Sequence, residues 1–362
     1  MSMKILYAIQ GTGNGHLSRA REIVPLLMKK GTVDLLVSGI QADVDLPYPI
    51  KYKFKGLSFI FGKKGGIDLI DTFKKSSIKN LYNEIKSLPV NEYDLIISDF
   101  EPVSSWACKM NNKVCVGLSH QAAVINKNSP KPKFKDPVGL SVLKYYAPVD
   151  FHYSFHFESY DKNIFTPVIR NQIREAKPKN AGHYTVYLPA YGDEKIIKIL
   201  GQIKHINWQV FSKHNKKASL INNIKIQPIN NEEFVRSMIN SVGVLCGAGF
   251  ETPAEALFLK KKLMVIPMKG QFEQQCNAAA LKKMGVPVIK SLKKKHLEKI
   301  EKWVNSPQKI DVDFKDQTED ILDNLIKTTP KLKHKKRLGL QISNPKKLKQ
   351  NSFGKIISKL AT

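Results

Sequence analysis

The sequence predicts an α/β protein of two domains, each built on a mostly parallel sheet that is covered by helices. Apolar runs of strand length alternate with amphipathic segments of helix length, which is typical of parallel strands joined by helices. The alternation occurs twice, on either side of a polar, proline-rich interruption. The chain has 362 residues, enough for two domains that each bury a core of their own.

The first round of alternation occupies the N-terminal half. It begins with the strand KILYAIQ, the glycine turn GTGNGH, the helix LSRAREIVPLLMKKG and the strand VDLLVSG. A long amphipathic helix is predicted over IDLIDTFKKSSIKNLYNEIKSL, residues 67–88. The strands YDLIISDF and VCVGLSH follow, separated by a helix through Trp106. Residues 126–149 contain four prolines and five lysines and are predicted to form successive turns.

The second round begins after the strand-like run FHYSFHF and the polar stretch RNQIREAKPKNAG. The strands HYTVYLP, NWQVFS, NIKIQPI and VGVLCGAG alternate with the helices GDEKIIKILGQIK and NEEFVRSMINS. We therefore predict domains at residues 1–168 and 182–329. Residues 330–362 hold ten Lys or Arg and no acidic residue, which predicts a basic tail with some helical potential.

Composition limits the class of protein. The 59 basic and 31 acidic side chains give a net charge of +28, which favours phosphates and anionic lipid surfaces as partners. The four cysteines lack C-x-x-C spacing, so reduced thiols and a cytoplasmic location are predicted. The N-terminal apolar run is too short for a signal peptide, and no run approaches about 18 apolar residues, so no membrane span is predicted.

The first glycine turn carries Gly11, Gly13 and Gly15 between a strand and a helix. Its spacing is G-x-G-x-G rather than the G-x-G-x-x-G of dinucleotide sites, and the next strand ends without the acidic residue that would hold a ribose. A nicotinamide or flavin site is therefore disfavoured. A tight turn that only lets the helix pack on the sheet remains an alternative.

His16 stands at the start of the first helix, where the helix dipole disfavours imidazolium and leaves a ring able to accept a proton. Asp99 ends the strand YDLIISD, and strand C-termini and helix N-termini open on the same edge of a parallel sheet. We therefore predict that Asp99 fixes the tautomer of His16, while His16 takes a proton from an attacking hydroxyl. A purely structural histidine is the alternative.

The segment from residue 247 to residue 281 is the most informative part of the chain. It contains a glycine turn, a short helix bearing Glu255, the buried strand LMVIP, and a second helix bearing Glu273, Gln274 and Asn277. Such a unit directs backbone N–H groups, which suit a diphosphate, and carboxylates, which suit sugar hydroxyls, toward one point. The pattern predicts a nucleotide-sugar site, although each residue taken singly could be an exposed polar side chain.

These segments resemble the two-domain nucleotide-sugar glycosyltransferases of the GT-B fold. The nearest group includes the lipid-linked N-acetylglucosaminyltransferase of peptidoglycan synthesis (family 28) and the UDP-glucuronosyl and plant UDP-glycosyl transferases (family 1). The resemblance covers residues 3–285 and rests on the turn ending in Gly15-His16 and on the segment just described. It implies two Rossmann-like domains that face each other across a cleft, with the acceptor on the first and the donor on the second.

The resemblance also implies a role for each matching residue. His16 would be the general base, supported by Asp99. Glu255 would bind the ribose, Glu273 and Gln274 the donor sugar, and backbone amides of the second glycine turn the diphosphate. Leu245-Cys246 stand where the plant enzymes have a phosphate-contacting histidine. The full set of implied donor contacts is Gly13, Gly15, Ile229, which would read uracil through backbone groups, Gly247, Gly249, Thr252, Glu255, Glu273, Gln274 and Asn277.

The implied activity is an inverting hexosyltransferase reaction from a UDP-sugar to a hydroxyl, with neither a metal nor a cofactor. A lipid or other hydrophobic acceptor is predicted, because apolar and aromatic residues at 140–146 stand near Lys127, Lys131, Lys133 and Lys135, which suits an anionic membrane face. A solvated surface loop is the alternative reading of this region.

Two other functions stay open. UDP-N-acetylglucosamine 2-epimerases share the two-domain fold and the ribose glutamate, so an isomerase is one alternative. A nucleic-acid binder driven by charge is the other, although no RNA or DNA motif is present and no specific nucleic-acid partner is expected. The basic tail could hold the protein peripherally at the inner membrane face.

Overall fold

Two parallel sheets, each enclosed by helices, form the frame of the chain. The structure is a computed structural model and describes residues 2–39, 46–57, 60–62, 66–68 and 78–338. Within these residues the first sheet has seven strands and the second has six. The predicted α/β class is confirmed. All four cysteines are buried free thiols, as predicted.

In the first sheet, the chain adds strands on one side of its first strand and then continues on the other side. Its strands are β1 (Lys4–Gln10), β2 (Thr32–Ser38), β3 (Tyr52–Phe54), β6 (Leu95–Asp99), β7 (Val116–Ser119), β8 (Phe151–Phe155) and β9 (Ile164–Phe165), while β4 (Ile60–Gly62) and β5 (Gly66–Asp68) form a separate antiparallel hairpin. The order is β3-β2-β1-β6-β7-β8-β9, with every pair parallel. A crevice therefore opens beyond the carboxyl ends of β1 and β6, where ligands bind in open α/β sheets.

Within the described residues, six α-helices accompany this sheet: α1 (Asn14–Met28), α2 (Ile78–Ser87), α3 (Pro102–Met110), α4 (Gln121–Ile125), α5 (Pro137–Tyr145) and α6 (Asn171–Arg174). The start of α3 shows how local sequence sets a boundary. The buried carboxylate of Glu101 accepts the N–H groups of Val103 at 2.7 Å and Ser104 at 2.6 Å. It thereby satisfies two donors of the first turn, and Pro102 needs no partner there.

Two predictions for this half need correction. The helix predicted over residues 67–88 does not begin at Ile67, because Ile67 belongs to strand β5; residues 69–77 lie outside the described residues, and helix is described from residue 78. The turns predicted over residues 126–149 include helix α5. Asp136 caps it by accepting the N–H of Gly139 at 2.8 Å, and Pro137 takes its first position. This cap and proline are helix-start signals that the lysine-rich composition obscured.

The second sheet repeats the plan. Its strands are β10 (His183–Tyr187), β11 (Asn207–Ser212), β12 (Ser219–Ile221), β13 (Ile224–Pro228), β14 (Gly243–Gly247) and β15 (Lys262–Ile266), and its helices are α7 (Asp193–Leu200), α8 (Asn231–Asn240), α9 (Glu251–Phe258), α10 (Phe272–Lys283) and α11 (Leu297–Asn305). The order is β12-β13-β11-β10-β14-β15, parallel except for the short edge strand β12, which the sequence analysis missed. The strand order reverses between β10 and β14, so a second crevice opens beyond the carboxyl ends of these two strands. The glycine turn after β14 lies at this crevice.

The last helix of the described residues, α12 (Thr318–Arg337), returns to the first sheet. The hydroxyl of Tyr153 donates to the carbonyl oxygen of Asn324 at 3.1 Å, and Lys336 Nζ lies 2.9 Å from the carboxylate of Asp150. The first part of the predicted tail, residues 330–337, is thus helical and packed, while residues 339–362 lie outside the described residues. The domain limits at 168, 182 and 329 stay predictions. In the described part of the chain, no helix is both long and apolar enough to cross a membrane.

Candidate active site

His16 and Asp99 lie close together at the point where the strand order of the first sheet reverses, between β1 and β6. Strands β1 and β6 are parallel neighbours with Ile9 opposite Asp99, so the turn after β1 brings the start of α1 beside the end of β6. His16 Nδ1 lies 2.8 Å from Asp99 Oδ1, and Asp99 is fully buried. Because a carboxylate only accepts, this contact places a proton on Nδ1 and makes Nε2 the accepting nitrogen of the neutral ring. Arg19 Nη2 also lies 3.1 Å from Nδ1.

The charges around this pair set its proton affinity. Burial alone would raise the pKa of the Asp99 carboxyl, but Arg19 and His16 outweigh burial and hold that pKa below its usual value. Burial alone would lower the pKa of His16, but the charge and hydrogen bond of Asp99 outweigh it, and the pKa of His16 is raised above 6.5. The dipole of α1 by itself would disfavour the charged ring of His16, as predicted, but the adjacent carboxylate overrides it.

Arg19 is a site residue that the sequence analysis missed. It follows His16 by three positions on α1, a spacing that places both side chains on one helix face and could have identified it. Its Nη2 lies 2.7 Å from Asp99 Oδ1 and 2.8 Å from Oδ2, and its Nη1 donates to Glu251 Oε1 in the second half. Arg19 therefore connects the His16–Asp99 pair to helix α9.

The first glycine turn leaves room for that connection. A Cβ atom at Gly15 would collide with the carboxylate of Glu251, so a side chain at position 15 would displace it. Gly13 has a φ of +96°, which favours glycine, and no atom lies within 4 Å of the place of a Cβ there. Gly13 is thus open to the crevice, and its predicted donor contact stays a prediction.

Glu255 is engaged inside the protein. Its Oε1 lies 2.5 Å from Arg170 Nε and its Oε2 lies 2.6 Å from Arg170 Nη2, a bidentate pair in which Glu255 is 3% and Arg170 7% exposed. The alternative of a solvated helix carboxylate is therefore wrong. The predicted ribose contact stays a prediction, and it requires a lone pair that Arg170 does not use or a rearrangement of the pair.

The three polar residues predicted on α10 point to different partners. Glu273 Oε2 accepts from Gln121 Nε2 of the first half at 3.1 Å. Gln274 Oε1 accepts the backbone N–H of Met268 at 2.9 Å and thereby braces the turn before α10. Asn277 is fully buried and its Nδ2 donates to the carbonyl oxygen of residue 248 in the second glycine turn at 3.1 Å. Of these three contacts, only that of Glu273 is with a side chain that also contacts His16.

Helix α4 joins the two halves. Gln121 Nε2 lies 3.5 Å from His16 Nε2 as well as 3.1 Å from Glu273 Oε2. His120 Nε2 lies 2.7 Å from Asn277 Oδ1, and the His120 ring stacks on Phe250 with centroids 3.9 Å apart. Gln121 thus places Glu273 one amide away from the predicted base, and His120 connects Asn277 to the first half.

The remaining predicted donor residues lie on loops at the edge of the second sheet. Gly247 ends β14, and Gly249 follows it with open space where a Cβ would stand. Thr252 is half-buried in the first turn of α9, and Ile229 is half-buried directly after β13. Because parallel strands end on one edge, these residues share the crevice, and their contacts with a donor stay predictions.

Among the described residues, no three His, Cys, Asp or Glu side chains are grouped so that they could hold a metal ion. The expectation that neither a metal nor a cofactor takes part stays a prediction, and it rests on the implied chemistry rather than on this observation.

The chain is similar to known glycosyltransferases in sequence profile and in fold. The profile of the family described as glycosyl transferase family 1 matches residues 3–306. A UDP-glucosyltransferase from Polygonum tinctorium has a TM-score of 0.55 at 12% identity over 100% of this chain and 98% of its own. Arabidopsis thaliana UGT89C1 has a TM-score of 0.54 at 12% identity, and the match covers 99% of this chain and 98% of its own. Acinetobacter baumannii MurG has a TM-score of 0.50 at 12% identity, with 99% of both chains covered. No curated protein matches. The predicted GT-B fold is confirmed.

Proposed function

The chain belongs to glycosyl transferase family 1, and from this membership we propose that it transfers a sugar from a UDP-sugar to a hydroxyl of a lipid or other hydrophobic acceptor, with inversion and without a metal ion. The main support is the position of His16 in the first half, one amide from Glu273 in the second. A donor sugar bound by Glu273 would present its anomeric carbon to a hydroxyl that is hydrogen-bonded to His16.

The proposed step uses Nε2 of His16, where the acceptor hydroxyl would take the place of the amide of Gln121. The acceptor O–H donates to His16 Nε2, because Nδ1–H is used by Asp99. As the acceptor oxygen bonds to the anomeric carbon, its proton passes to Nε2, and the bond from that carbon to the diphosphate oxygen breaks. The electron pair of that bond leaves with the nucleoside diphosphate. Asp99 stabilises the imidazolium that forms.

The leaving diphosphate would bind at the second glycine turn. The open backbone at Gly249 and the N-terminus of α9 supply N–H donors and a positive dipole end, and Thr252 would add a hydroxyl. Glu255 would accept from the ribose through its remaining lone pairs, and the backbone at Ile229 would contact uracil. Charge on the leaving group would thus be stabilised without a cation.

A hydrophobic acceptor is supported by the surface around the start of α5. Phe134 and Val138 are 53% and 54% exposed, and the exposed Lys133 and Lys135 stand among them. Further along α5, Leu140 packs with other apolar residues against helix α10. An amphipathic acceptor bound at this surface would therefore lie next to the donor helix.

The test begins with a thermal-shift panel of UDP- and other nucleotide sugars. A ligand held at one hundred times its Kd is expected to stabilise the protein by about 2.7 kcal/mol. The donor that binds is then incubated with a lipid alcohol, with and without EDTA, and the anomeric configuration of the product is determined. His16→Ala is the matched control, which should bind the donor and form little product.

The expected result is an inverted glycoside whose formation EDTA does not slow. Loss of turnover in EDTA would contradict metal independence, and a retained configuration would contradict direct displacement. Release of an epimerised sugar without an acceptor would identify the isomerase alternative instead.

A further inference from the structure

Four ionisable side chains from three elements meet at the proposed base. His16 and Arg19 come from α1, Asp99 from β6 and Glu251 from α9 of the opposite half. Arg19 is 3% exposed and its partner Asp99 is fully buried, while the side chain of its other partner, Glu251, is 23% exposed. Glu251 reaches this position only because residue 15 has no side chain.

The formal charges of this cluster depend on the opposite half. Two carboxylates and one guanidinium sum to −1 while His16 is neutral and to zero once His16 has taken a proton. Without Glu251 the sums are zero and +1. In an interior of low effective dielectric, the change from −1 to zero is favoured over the change from zero to +1.

We propose that Glu251, acting through Arg19, couples the contact between the two halves to the proton affinity of His16, so that this contact completes the base. The proposal rests on the proposed function, since it assumes that His16 is the base. Arg19 and Glu251 are positioning residues: Arg19 contacts Asp99 directly, and Glu251 acts on His16 through its charge and through its contact with Arg19.

The directions in which the neighbouring groups shift the pKa of His16 agree with this proposal. Burial lowers the pKa of His16 and Asp99 raises it by more, while Arg19 lowers it and Glu251 raises it. Two further groups stand nearby. Burial raises the pKa of Tyr7 well above its ordinary value, so Tyr7 stays neutral, and Glu273 is separated from His16 by the neutral amide of Gln121.

The test is the pKa of His16 itself, measured by NMR titration of the imidazole in the full chain without substrate. The His16 resonance is assigned by its loss in His16→Gln. Glu251→Gln is expected to lower this pKa and Arg19→Met to raise it, each by at least about half a pH unit. Glu233→Gln is the matched control, because Glu233 is exposed and pairs with Arg236 on its own helix.

Opposite shifts in the two variants, with none in the control, would support the coupling, because a merely structural role predicts no such sign reversal. Shifts in one direction, or no shift in Glu251→Gln, would overturn it. If Arg19→Met does not fold, Glu251→Gln decides alone. Since no donor is needed, the expected shifts in a chain that turns over no nucleotide sugar would support the coupling and contradict the proposed reaction.

Discussion

The buried pair of Arg170 and Glu255 gives a prediction whose size follows from the structure. Glu255→Ala removes the carboxylate that binds both Nε and Nη2 of Arg170, and the neutral side chain of Asn231, 2.8 Å from Nη1, cannot replace its charge. Leaving one partner of a buried pair without the other costs about 3–5 kcal/mol. The carboxylate of Glu22 still acts on Arg170, so we expect the lower end of this range.

The assay is equilibrium unfolding in urea. Replacing both partners, as in Arg170→Met with Glu255→Leu, should recover most of the loss, because neutral side chains of similar size often substitute for a buried ion pair without cost. Glu233→Ala is the control, because it breaks an exposed pair with Arg236 and should change the free energy of unfolding by less than about 0.5 kcal/mol. A loss below about 1 kcal/mol in Glu255→Ala would refute the argument.

The double variant also separates stability from the proposed ribose contact. If Glu255 accepts from the ribose, its loss should cost about 1.5–3 kcal/mol of donor binding and raise the donor KM at least about tenfold, even in a stable protein. An unchanged KM in the folded double variant would mean that Glu255 serves only the ion pair with Arg170.

Four further predictions concern the base and the tail. His16→Ala should lower kcat about a hundredfold or more at unchanged donor affinity, and Asp99→Asn should lower it less; near-normal turnover in His16→Ala would place the base elsewhere. The acid limb of kcat/KM should have its midpoint above pH 6.5, because the net effect of burial and of the outweighing Asp99 raises the pKa of His16. By linkage, the stabilising effect of His16 should be fully present below pH 6.5 and disappear as pH rises through the raised value, which unfolding of His16→Gln at pH 6 and 9 can check. A chain ending at Leu338 keeps helix α12 and should sediment less with anionic vesicles than the full chain at low salt, with the difference lost at high salt; equal sedimentation would exclude the tail as an anchor.

The sequence was sufficient for the features that depend on strand order. Parallel strands end on one edge, so the meeting of His16 with Asp99 followed from two apolar runs and a glycine turn. Arg19 stands on the same helix face as His16, but its partner Glu251 is 232 residues away, and no local pattern encodes that contact. The burial of Glu255 likewise depends on an arginine from the segment between the two sheets.

Helix α9 belongs to the proposed donor site and also contacts the helix that carries the proposed base. Glu251 and Glu255 are four positions apart, so they lie on one face of the helix, and two like charges at that spacing repel each other. Each is bound by an arginine from outside the helix, Arg19 on α1 and Arg170 beside α6. The helix whose N-terminus would receive the diphosphate is therefore fixed at one end of this face to the helix that carries the proposed base. Because Arg19 also binds Asp99, a displacement of α9 that separates Glu251 from Arg19 would change the charge around His16.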